Sequence, residues 1–119
     1  MVATTVYAAE LHEPLTTPEL QQLATTIAKA HGIEDIWRFL FVINCESGWD
    51  PSVHSNFYHN GKRENSWGLA QIFLDVHTNV TRSQAKDPYF ALTWAAEHWN
   101  DEPSNWRTCY KKSNELIFM

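Results

Sequence analysis

The sequence predicts a mainly α, α+β single domain, a helical body with a small β-hairpin after a central buried helix. Three observations carry that reading. Ile36, Trp37, Phe39, Leu40, Val42 and Ile43 cover too much of a helical circumference for a surface helix. Asn60-Gly61, with short polar and aromatic arms on either side, is the strongest two-residue hairpin signal in the chain. Proline and acidic caps followed by apolar residues at helical spacing occur on both sides of these features. A chain of 119 residues has room for one core and not for two.

In chain order, residues 1–15 read as a weakly ordered leader and residues 16–119 as the domain. The opening "MVATTVYAAELHEP" lacks a basic segment followed by an apolar core, so it is not an intact signal peptide. It is either the start of a cytosolic protein or a mature domain given a new methionine. Thr17-Pro18-Glu19 reads as N-cap, first-position proline and first-turn acid. Leu20, Leu23, Ala24, Ile27 and Ala28 follow at helical spacing, and Gly32 is placed to end the helix. The central helix begins near Glu34 or Asp35 and ends by Gly48, because Pro51 disfavours helix before it. A two- or three-stranded β element then surrounds Asn60-Gly61, and "GLAQI" is placed at the start of a short helix. Thr81 to Gln84 fits a capping box. Asp87-Pro88 caps a longer helix through "YFALTWAAEHWN", and a last short helix is expected around Pro103 to Lys111.

Composition removes several classes of function. Net charge is −5 with no basic run, which argues against a nucleic-acid partner. The longest apolar run is far too short to span a bilayer. Six histidines show no convincing i, i+4 pair, so no metal is expected and no cofactor is implied. There is no glycine-rich phosphate loop and no supported Ser/His/Asp set. Six tryptophans either fill a core or line a cleft for something flat, such as a sugar ring. Trp37, Trp94 and Trp99 fall on apolar helix faces, with at least two in the core. Trp67 either stacks on a saccharide or packs behind the hairpin. Cys45 and Cys109 lack metal-ligand spacing, and composition leaves two buried thiols and a disulfide both open.

The chemistry concentrates at "NCESGWDPSVHS". Glu46 is placed at the C-terminal end of the apolar helix, where low dielectric and the negative end of the helix dipole both disfavour its charged form. A carboxyl group that keeps its proton near neutral pH is what a general acid on a glycosidic oxygen requires. The plainer alternative is a solvated glutamate at a helix end. Some twenty residues later, Ser66-Trp67-Gly68-Leu69-Ala70-Gln71-Ile72 supplies the second wall of a cleft whose floor is the helix end.

Glu46-Ser47-Gly48 with Asp50-Pro51, followed by Gly68-Leu69-Ala70-Gln71-Ile72, resembles the soluble lytic transglycosylase domain of the lysozyme-like superfamily. "TRSQAKDPYFALTWAAEHW" is similar to that family's late helix, and "NWRTCYKK" to its closing Trp-x-x-Cys segment. The resemblance spans roughly Pro18 to Lys111. It implies cleavage of the β-1,4 bond between N-acetylmuramic acid and N-acetylglucosamine in peptidoglycan, leaving a 1,6-anhydromuramoyl end. Glu46 is then the single catalytic acid and base. Ser47 orients Glu46 or binds an acetamido group, and Ser66, Trp67, Ala70, Gln71 and His98 complete the expected substrate-binding set. The resemblance also implies a Cys45–Cys109 disulfide and an exported protein, with glycan strands as partner and a monomer as the working form.

Two alternatives follow from the same residues. A lysozyme-type muramidase uses two flanking carboxylates. The position before the aromatic–Gly pair, acidic in animal lysozymes, is Ser66, although Glu64 lies two residues earlier on the same strand face. A non-catalytic peptidoglycan-binding domain of this fold is the other alternative. Phe73 stands where the family often has asparagine, Ala70 replaces a common methionine, and His98 replaces a tyrosine. His98 either donates a hydrogen bond towards the site or is simply an exposed helix residue.

Overall fold

The computed structural model describes residues 14–100 and 103–117. The leader expected over residues 1–15 falls outside them except for Pro14 and Leu15, and Leu15 already packs against the core. Helix α1 spans Thr17–Ala30. Its N-cap is Thr16 rather than Thr17, because the capping box needs its hydroxyl partner three residues before Glu19, and Thr16 and Glu19 bond reciprocally. Leu20, Ala24 and Ala28, each four residues apart, form its buried stripe.

Helix α2, Ile36–Ser47, is the central one: Asp35 caps its start, Gly48 ends it in the left-handed conformation, and Phe39, Val42 and Ile43 are fully buried. It packs against α1 and against the last helix, α5 (Arg107–Ile117). Between them come the strands β1 (Tyr58–His59) and β2 (Lys62–Arg63), an antiparallel hairpin closed by Asn60-Gly61. Both turn residues have positive φ, 52° and 80°, as a tight two-residue turn demands.

Strands β3 (Ser66–Trp67) and β4 (Ile72–Phe73) form a second antiparallel pair, and His54 bridges to Trp67 on the outer side. The "GLAQI" segment is therefore a turn between strands and not the start of a helix. Gly68 and Gln71 both take positive φ, 80° and 50°, which a helix cannot accommodate. Gly68 is required there for a second reason: a methyl group on it would collide with the carbonyl of Ala85. That close approach seats β3 on α3 (Arg82–Lys86), a short helix with the expected Thr81–Gln84 capping box.

Helix α4, Pro88–His98, is capped by Asp87 and lies against α1. A 3₁₀ turn, Pro103–Trp106, leads into α5, so the last helix extends six residues beyond the expected Lys111. Trp49, Trp94, Trp99 and Trp106 are buried, with Trp106 packed on Trp94 and Trp99 and Trp99 edge-on to Phe39. Most of the indole surplus is therefore core, with Trp94 and Trp99 inside as expected and Trp37 half exposed. Cys45 and Cys109 form a disulfide, their Cα atoms 5.8 Å apart, joining the end of α2 to the start of α5. No helix of the described residues is long and apolar enough to cross a membrane.

Candidate active site

Glu46 occupies the last turn of α2, where the helix meets the sheet region. The helix end is held firmly. The Ser47 hydroxyl donates to the Ile43 carbonyl at 2.8 Å and accepts from the Trp49 N–H at 3.3 Å, while the Gly48 N–H reaches Asn44 at 2.7 Å. Ser47 is itself buried, so its hydroxyl fixes the backbone beside Glu46 and does not line the cleft.

A cleft opens beside Glu46 in two lobes. The larger holds about 480 Å³ and the smaller about 250 Å³, and Glu46, Glu64, Gln71 and Asn105 line both. The larger lobe falls in the size range of small-ligand sites. It is lined from residues 53–57, from His59 and from residues 105–109; Ser66, Phe73, Val76 and His77 complete the smaller one.

Burial raises the pKa of Glu46 to about 7, the negative charge of Glu64 adds to the rise, and Lys112 works against it. The carboxyl is thus protonated in a useful fraction of molecules at neutral pH, as a general acid must be. Glu64 is held for its part: Ser66 donates to one oxygen at 2.8 Å, and the His59 imidazole lies 3.2 Å from the other. Ser66, buried and lining the smaller lobe, therefore acts on Glu64.

Gln71 reaches the cleft, but both N–H groups of its amide are committed, at 3.1 Å to the Val53 carbonyl and 3.0 Å to the Gly68 carbonyl. Its amide oxygen is the group left to face a ligand. Ala70 is fully buried and contributes its carbonyl to the Trp106 indole N–H at 3.0 Å, so it supports the wall from behind.

Trp67 does not line either lobe. His54 stacks on its ring at 3.9 Å and 5°, and the Arg82 guanidinium lies 4.5 Å from the ring centroid, so these side chains cover the indole. His98 likewise stays out of the cleft: it stacks on Trp94 at 4.1 Å and bonds the Trp94 carbonyl at 2.7 Å. The late-helix side of the cleft is served instead by His77, whose ring lies 3.2 Å from the Asn105 amide oxygen.

Asn105, His77, Phe57 and Arg107 are among the lining residues that the sequence did not single out. A signal existed for two of them. Once Cys109 is tied to Cys45, the residue before Glu46, the stretch just ahead of Cys109 must arrive at the cleft. No group of acidic, histidine or cysteine side chains among the described residues is arranged to hold a metal ion. No family model matches the chain, and no curated protein or solved structure matches it, so the case for a function stands on the residues of the cleft.

Proposed function

We propose that the protein is a lytic transglycosylase that cuts the glycan strand of peptidoglycan between N-acetylmuramic acid and N-acetylglucosamine. One observation carries the reading: a carboxyl group with its pKa pushed up to about 7 by burial, at a helix end, opens onto a cleft of sugar size. Glu46 gives its proton to the glycosidic oxygen as the bond from that oxygen to the muramyl C1 breaks. The muramyl C6 hydroxyl then attacks C1, and its proton passes to the Glu46 carboxylate. The acid is restored, no water is consumed, and the product ends in a 1,6-anhydro ring.

Glu64 fits this scheme as the charge that adds to the effect of burial in keeping Glu46 protonated. Both its oxygens already accept hydrogen bonds, and Gln71 and Asn105 offer polar groups beside it. A second reading, a muramidase of the lysozyme kind, is favoured by the same residue, since Glu64 brings a second carboxylate to the cleft. The disulfide suits an exported protein, because such bonds persist in oxidising compartments.

Mass spectrometry of purified sacculi after digestion tests the proposal. Anhydro products from the wild type and none from Glu46→Gln are expected. Products heavier by one water would establish the muramidase instead, and intact strands that remain bound would establish a non-catalytic binding domain.

A further inference from the structure

The larger lobe contains two side chains that the bond-breaking scheme does not use. Phe57 lines it with more than half of its surface exposed, although four of the six tryptophans are buried. Its backbone is anchored on both sides: its N–H donates to the Ser55 hydroxyl at 3.1 Å, and its carbonyl accepts the Glu64 N–H at 2.8 Å. The ring rests on His59 at 4.4 Å, and His59 is held in turn by Glu64. An aromatic ring fixed in this way at a polar cleft offers a flat apolar face, which matches the C–H face of a pyranose.

Arg107, at the start of α5, is exposed and lines the same lobe. The ion pairs among the described residues are Arg38–Asp35 and His59–Glu64, so its charge is spent on neither. An anionic substituent entering this lobe meets Glu46 and Glu64, and Arg107 is the lining cation that can hold it away from them.

We infer that Phe57 and Arg107 form a two-part recognition site for a pyranose bearing a carboxylate substituent, the ring taking the sugar face and the guanidinium the carboxylate. This rests on the glycan-cleaving reading and sharpens it: the cleft selects muramyl-type strands over uncharged N-acetylglucosamine polymers. The carboxylate has two possible sources, the lactyl group of peptide-free strands and the stem peptide.

Binding is measured calorimetrically in a Glu46→Gln background with three ligands: a chitin oligomer, a peptide-free muramyl oligosaccharide and its stem-peptide-bearing counterpart. Phe57→Ala should weaken all three about ten-fold, with recovery in Phe57→Trp. Arg107→Gln should weaken only carboxylate-bearing ligands, about five-fold, and the ligand that loses more identifies the source of the carboxylate. Equal loss for the chitin oligomer, or no loss for either anionic ligand, overturns the role of Arg107. Unchanged binding in Phe57→Ala overturns that of Phe57. If the Glu46→Gln background binds none of the three, the proposed function itself fails, a different result from either.

Discussion

Glu46 is one residue whose position converts an ordinary carboxyl group into a proton donor. Its pKa in the fold, about 7 against an ordinary 4.5, has a consequence for stability with a definite sign. A group that holds its proton more tightly when folded stabilises the fold fully below pH 4.5, and that contribution is lost as pH rises through 7. Relative to Glu46→Gln, the wild type should therefore lose about 3 kcal/mol of unfolding free energy between pH 4 and pH 8. Urea titrations of both proteins at the two pH values check this, and parallel pH profiles would contradict it. The charges around Glu46 predict opposite shifts in activity. Glu64→Gln should move the alkaline limb of the rate profile to lower pH, and Lys112→Met should move it higher, as pH–rate curves on sacculi would report. The sequence disclosed the acid because an ionisable side chain interrupts an apolar helix at its exit. It disclosed Glu64 as a candidate second carboxylate but not as the neighbour that tunes Glu46, because that approach exists only in the fold. For Trp67 and His98 the sequence left two readings open; the ring of Trp67 meets His54 and Arg82, partners brought by the fold, and that of His98 stacks on Trp94 one helical turn earlier.

The helices were legible and the turn between β3 and β4 was not. Helices declare themselves through caps and a 3.6-residue period, and the boxes at Thr16–Glu19 and Thr81–Gln84 both form. The segment from Gly68 to Gln71 carries apolar residues at a spacing compatible with a helix. Its conformation is set instead by two positive φ angles and by the contact of Gly68 with the Ala85 backbone. Gly68 thus fixes the wall that carries Gln71. Gly68→Ala should cost about 3 kcal/mol, combining backbone strain with a clash that only movement of α3 relieves. Chemical denaturation measures the loss. A variant within 0.5 kcal/mol of wild type, roughly the spread of neutral surface changes, would show that the turn is not held by that approach.

Across the molecule, the disulfide joins the two ends of the argument. It ties the residue before Glu46 to the helix that supplies Arg107 and Thr108 to the cleft, and it spans 64 residues of sequence. Constraint of the unfolded chain over that distance is worth about 4 kcal/mol by loop entropy. The Cys45→Ala/Cys109→Ala protein should unfold at markedly lower denaturant, and wild type treated with reductant should follow it. An unchanged midpoint would remove the bridge from the account. The architecture as a whole, a buried helix delivering a carboxyl group to a groove walled by strands and a closing helix, was legible because each part has a local signature. The groove's far side was not, because Asn105 and His77 meet only through the fold. The central claim concerns the protonation of one side chain, and it is open to direct observation. The carboxyl carbon of Glu46, assigned by comparison with Glu46→Gln and followed by NMR across pH 3 to 9, should titrate near 7. A midpoint near 4.5, that of a solvated glutamate, would contradict the account.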